Sequence, residues 1–109
     1  MAGKFELKTA VNGKFHFNLK AGNGQIILSS EMYETKAAAE NGIASVMKNA
    51  AEEARYERRK AANGSPFFVL KAGNGEVIGR SEMYSADPAM ETGIESVKTN
   101  APTAKIEES

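Results

Sequence analysis

Sliding the chain against itself by 51 residues, without a gap, lays Phe5 to Ala50 on Tyr56 to Ala101, with about half of the paired positions identical. No other feature limits the fold as strongly, because two copies this similar must share one local structure. The blocks that recur are Asn12-Gly13 with Asn63-Gly64, Leu19 to Gly24 with Leu70 to Gly75, Ser30 to Tyr33 with Ser81 to Tyr84, and Gly42-Ile43 with Gly93-Ile94. Recurrence inside one chain argues for repeated structure more firmly than for repeated function.

One copy reads as three short strands and a helix. Phe5, Leu7 and Thr9 alternate with Glu6 and Lys8, and Phe15, Phe17 and Leu19 alternate with His16, Asn18 and Lys20. A period of two marks strands with one wet face. Asn12-Gly13 supplies the positive dihedrals of a hairpin turn, and a second turn at Ala21 to Gly24 leads into the branched run Ile26-Ile27-Leu28. Beyond Ser30-Glu31-Met32-Tyr33, Thr35 is placed to cap a helix whose apolar stripe is Ala39, Ile43, Val46 and Ala50.

The second copy repeats that stripe with Met90, Ile94, Val97 and Ala101, with Asp87 expected as the N-cap before Pro88 and with Asn100 and Pro102 marking the helix end. The expected fold class is therefore α+β, built as two tandem βββα repeats, residues 1–54 and 55–109, packed with pseudo-twofold symmetry. Each repeat has about 50 residues, near the lower limit for folding alone without disulfides or metal. The two are expected to share buried surface as one compact unit, a monomer that contains its own pseudo-dimer. Whether their sheets merge or stack is not readable, and Ala104-Lys105-Ile106 either adds a final strand or frays.

Composition narrows the chemistry. The 109 residues hold 14 Lys plus Arg against 14 Asp plus Glu, one His and no Cys. That inventory excludes disulfides, thiolate nucleophiles, thiolate zinc sites and histidine-rich metal sites. No apolar run reaches the ~18 residues of a membrane span, charge appears by Lys4, and Ala2 occupies the place where myristoylation needs glycine. A soluble cytoplasmic protein without cofactor, metal or membrane partner is the expectation.

Candidate sites stand beside plainer readings. Gly22-Asn23-Gly24 and Gly73-Asn74-Gly75 lack the strand-then-helix context of a phosphate-binding loop and read as hairpin turns. His16 faces away from the apolar strand face, and its counterpart is Phe67, so a surface histidine is the better reading than an acid or base. Ser30, Glu31, Tyr33, Ser81, Glu82 and Tyr84 form the candidate interaction surface, since recurring polar and aromatic groups on connections are natural contacts. Against this, the carboxylates Glu31 and Glu82 can satisfy backbone amides ahead of each helix, and the tyrosines can close the core between sheet and helix. The mid-helix Gly42 and Gly93 imply a close approach to the backbone.

One difference between the copies stands out at Arg55, Tyr56, Arg58, Arg59 and Lys60, a candidate anion or nucleic-acid patch in which Tyr56, Arg58 and Lys60 share one strand face and Arg59 takes the other. An ordinary solvated face is the plainer reading.

The blocks Phe17 to Gly24, Ser30 to Tyr33 and Asn41 to Ala50, with Phe68 to Gly75, Ser81 to Tyr84 and Gly93 to Ala101, resemble the YegP-like family of small uncharacterised bacterial proteins in its duplicated form. The match spans nearly the whole chain and departs at Thr92 and at Asp87-Pro88. The resemblance implies an α+β fold of two strand-rich repeats and brings no reaction, cofactor or catalytic residues with it. The leading functional expectation is a non-enzymatic binding or interaction module for a protein or small-molecule ligand. Weak RNA or single-stranded DNA binding through the basic strand is the first alternative, and an enzyme using Glu31 and Glu82 is the second.

Overall fold

The computed structural model describes residues 3–108. The strands are β1 (Lys4–Thr9), β2 (Phe15–Lys20), β3 (Ile26–Ser29), β4 (Tyr56–Lys60), β5 (Pro66–Lys71), β6 (Val77–Arg80) and β7 (Lys105–Glu108). Two helices, α1 (Lys36–Asn49) and α2 (Asp87–Asn100), follow β3 and β6, and short 3-10 turns follow each helix. The meanders merge into one seven-stranded sheet of order β4-β5-β6-β3-β2-β1-β7. The join is narrow, a single antiparallel pair of Ser29 with Arg80 between β3 and β6.

Both helices lie on one face of the sheet, and each crosses the boundary between repeats. α1 packs on β2 and reaches β5 and β6, while α2 packs on β5 and reaches β3. The expected stripes are the buried ones, and one cluster joins Phe5, Phe17, Leu19, Ile43 and Val46 to Phe68, Leu70, Ile94 and Val97. Neither repeat therefore owns a separate core.

Local chemistry explains the element ends. Thr35 caps α1 by accepting a hydrogen bond from the Ala38 amide at 3.0 Å. Asp87 departs from expectation: Ala86 is the N-cap, without a side-chain hydrogen bond, and Asp87 and Pro88 are already inside α2. Proline tolerates that place because the first helical amides have no internal partner, and the Asp87 carboxylate remains favourable beside the positive end of the helix.

The hairpin turns also differ in detail. Gly13 has φ of +82°, but among the described residues none other than glycine has positive φ, so Asn12 does not share in the left-handed conformation. The Gly13 amide instead donates to the Ala10 carbonyl at 3.0 Å and the Lys14 amide to the Asn12 side chain at 3.0 Å. This is a type I turn closed by a left-handed glycine, with asparagine holding the exit. The same asparagine bond recurs at Asn23, Asn63 and Asn74.

The chain beyond α2 does not fray. β7 pairs in parallel with β1, Lys4 opposite Lys105 through Leu7 opposite Glu108, and so carries the second repeat back to the first. A plain βββα repeat does not include this strand. Among the described residues, no helix is long and apolar enough to cross a membrane.

Candidate functional site

Each Ser-Glu-Met-Tyr connection begins with a serine that works for the backbone. The Ser30 hydroxyl accepts from the Phe17 amide at 2.8 Å and donates to the Glu31 carbonyl at 2.8 Å, and Ser81 does the same with Phe68 at 3.0 Å and Glu82 at 2.8 Å. The side chain takes a place in the ladder and turns the chain out of the sheet. Tyr33 then exchanges two backbone hydrogen bonds with Phe15, whereas Tyr84 makes only one, to the Pro66 carbonyl, because proline has no amide to return.

Both tyrosine rings lean in under the helices. Tyr33 lies nearly parallel to Phe17 with centroids 6.2 Å apart, and Tyr84 to Phe68 at 6.3 Å. A Cβ on Gly42 would stand 2.5 Å from the Tyr33 hydroxyl, and one on Gly93 only 2.7 Å from Cζ of Tyr84. The glycines are where the rings meet the helix backbone. Burial raises the pKa of both phenols, helped by Glu31 and Glu76 at Tyr33 and by Glu82 at Tyr84.

The exposed edges of these rings help to wall two open cavities, each formed across the repeats. One, of about 450 Å³, lies between Gln25, Ile26 and Ile27 of the first repeat and Glu82, Met83 and Tyr84 of the second. The other, of about 530 Å³, sets Glu31 and Tyr33 against Glu76, Val77 and Ile78. A third, of about 270 Å³, lies between the connections and is lined by Ser30, Glu31, Arg80, Ser81 and Glu82. All six expected surface residues line at least one wall of these three, and Ser30 and Ser81 do so while committed to the backbone.

Charge separates the carboxylates at these walls from the rest. Ten of the 14 acids form ion pairs, but among the described residues Glu31, Glu40, Glu76 and Glu82 form none. Three of those four line the cavities. Neither Glu31 nor Glu82 caps a backbone amide, contrary to the plainer reading of the sequence. Met83, 56% exposed, stands at the first groove, and Met32, 51% exposed, is its counterpart in the other connection. Sequence reasoning overlooked them and Glu76; the signal available was methionine repeated in a polar connection, where no core needs it.

The basic run is dispersed. Tyr56 is buried, and its hydroxyl donates to the Ala50 carbonyl at 2.6 Å. Arg55 bonds the Asn49 side chain at 3.0 Å, Arg58 lies between Glu53 and Glu91, and Lys60 approaches Asp87 at 3.6 Å. Arg59 points to the opposite face and pairs with Glu57. His16 stands across from Lys8 on β1 and lines none of the three cavities. Among the described residues, no group of three or more His, Asp and Glu side chains is placed to hold a metal ion.

The model of a domain of unknown function, DUF1508, matches twice, at residues 10–57 and 61–108. The chain belongs to the DUF1508 family. Each DUF1508 match starts in the first turn of a repeat and ends in the strand after its helix, β4 or β7, so it leaves out the first strand of each meander and takes in residues of the strand that follows the helix. Among DUF1508 relatives, the UPF0339 protein YegP of Yersinia pestis is 54% identical, covering 97% of this chain and 95% of its own. YegP of Shigella flexneri is 50% identical over 99% and 98%. The solution NMR structure of YegP from E. coli, described as a protein of unknown function, superposes with a TM-score of 0.94 at 49% identity, covering 99% of this chain and 93% of that one. That of a UPF0339 protein from Shewanella oneidensis gives 0.93 at 48% identity, covering 99% and 92%.

Proposed function

We propose that this protein is a non-enzymatic binding module whose two cross-repeat grooves take a protein segment carrying Lys or Arg beside an apolar side chain. The observation that carries the reading is the set of unpaired carboxylates, Glu31, Glu76 and Glu82, on walls shared with Tyr33 and Tyr84. Nearly every other acid is neutralised by a neighbour, so these are the positions where an incoming cation gains most. The ring edges and the exposed Met32 and Met83 supply apolar contact, and methionine adapts its shape to varied partners. Pseudo-twofold packing of the repeats would present two related grooves to one extended or bivalent partner.

Selection from a peptide library displayed on phage tests this. Enriched sequences should place Lys or Arg next to an apolar residue. Their affinity should fall at least tenfold for the triple variant Glu31→Gln, Glu76→Gln, Glu82→Gln, whose thermal stability should stay near that of the parent because these side chains form no ion pairs among the described residues. Enrichment of acidic peptides, or an affinity indifferent to the three substitutions, would sink the proposal.

A further inference from the structure

The helices cover one face of the sheet and leave the other to solvent, and strand register says which side chains stand on it. Glu6 opposes Asn18, Lys8 opposes His16, and Lys4 opposes Lys20; on the second repeat Glu57 opposes Val69 and Arg59 opposes Phe67. Arg80 pairs with both Val69 and Ser29, and Lys105 lies beside Lys4. The open face thus carries seven cations, Lys4, Lys8, Lys20, Arg59, Lys71, Arg80 and Lys105, against three carboxylates, Glu6, Glu57 and Glu107. Since the whole chain has 14 of each sign, the remainder holds seven cations and eleven acids, and zero net charge conceals two oppositely charged sides.

The excess is built the same way in both repeats. Glu6 is shared by Lys8 and Lys20 at 3.2 Å each, and Glu57 is shared by Arg59 and by Lys71 at 3.3 Å. One carboxylate between two cations leaves each pair half-neutralised. Arg80 and Lys105 have no ion-pair partner among the described residues. The Arg80 guanidinium instead lies 6.0 Å from the centroid of the half-exposed Phe67 ring.

We infer that this open face binds single-stranded nucleic acid, with Lys8, Lys20, Lys71 and Lys105 meeting phosphates and Phe67 with Arg80 offering a stacking platform for a base. The inference is separate from the cationic segment proposed for the grooves, though Lys20 stands at the edge of one of them. Charge complementarity selects a polyanion. A flat face with an exposed ring suits unstacked bases, whereas a duplex is read by an element that enters its groove. A bilayer fits poorly, because the exposed Met32, Met83, Val11 and Ile106, which would seek its interior, stand on connections, on a turn or on the helix side, and Ile26, 38% exposed opposite Lys20, is too small an apolar area to seat in one. Seven strands at ~4.8 Å spacing span about 29 Å, room for a few nucleotides.

The test is fluorescence anisotropy of labelled decauridylate with the whole protein. Engagement of about four phosphates gives a log–log salt slope of about −2.8, so affinity should fall about 50-fold between 50 and 200 mM salt. Lys71→Ala with Lys105→Ala should flatten the slope by about 1.4. Phe67→Leu should weaken decauridylate about tenfold and leave an abasic decamer unaffected, while Lys48→Ala, on α1, should change nothing. A nitrogen-15 spectrum of each variant establishes that it is folded. Lack of binding at 50 mM salt overturns the inference. So does equal loss for the abasic decamer with Phe67→Leu, or retention on phosphatidylserine vesicles without affinity for decauridylate.

Discussion

Leu7 in β1 and Arg58 in β4 occupy equivalent places in the two repeats, yet one is 3% exposed core and the other is a charged side chain with 37% of its surface free. The strands themselves are alike, each antiparallel to the second strand of its own meander. What differs is the next neighbour. β7 lies against β1 and makes it an interior strand, whereas β4 is the end of the sheet. A leucine at the end strand would sit half in water; arginine lays its stem along the sheet and gives its head to Glu53 and Glu91. The charged run Arg58-Arg59-Lys60 also makes this free edge a poor template for another strand. A chain that repeats its sequence cannot repeat every environment, because only one of its two meanders can receive the last strand.

The comparison breaks most visibly by truncating both positions. Leu7→Ala should cost about 2–4 kcal/mol, the transfer of a buried side chain plus the cavity left behind. Arg58→Ala should cost under about 1 kcal/mol, since its ion pairs are partly solvated. Urea unfolding measures both. Equal losses would mean that β7 does not shelter β1. Either variant should unfold in one transition, because both repeats share a core.

A second pair of substitutions tests where the repeats are truly alike. Gly42→Ala and Gly93→Ala each remove a poor helix former, worth up to ~1 kcal/mol, but drive a methyl into the Tyr33 or Tyr84 ring. Overpacking should win, with a net loss of about 1–3 kcal/mol and similar values for the two. A gain in stability at either glycine would show that its tyrosine swings away freely.

Much of this was legible one repeat at a time. Alternation located the first two strands of a meander and the branched run Ile26 to Leu28 the third, the repeat carried these to the second copy, the Ala39-Ile43-Val46 and Met90-Ile94-Val97 spacings located the buried helix faces, and a glycine in mid-helix announced a close neighbour. What joins the repeats was not legible. The sheets merge through one residue pair, Ser29 with Arg80, which leaves no pattern in the sequence. β7 has no apolar alternation, since all four residues are exposed and it is held by backbone pairing and by Lys4–Glu107 and Lys36–Glu108. The grooves depend on the same join, so Glu76 could not be placed beside Tyr33. The open face was hidden for a related reason: strand parity gives the facing of each side chain within a meander, but the two faces add only once the meanders form one sheet. Arg55 to Lys60 drew notice as a run, yet contact with α2 and its acids disperses it.

The smallest expected effect lies at Glu53, which has no acidic counterpart in the first repeat, where Ala2 stands 51 residues earlier. In the 3-10 turn before β4 it accepts from Lys98 at 2.6 Å and pairs with Arg58 at 2.8 Å, so it ties the second repeat's first strand to its helix. Lys98 first, and Arg58 next, hold its carboxyl down from 4.5 to about 2. Between those values the unfolded chain takes up the proton before the folded one does. The stabilisation is therefore complete above about pH 4.5 and disappears as pH falls toward 2. Because the side chain is more than half exposed, Glu53→Gln should cost under about 1 kcal/mol near neutrality. Melting curves of parent and variant should differ from pH 5 to 7 and converge by pH 2. A gap that persisted at pH 2 would mean that the loss comes from the shape of the turn and not from the charge, and would remove Glu53 from the contacts that make the second repeat's edge unlike the first.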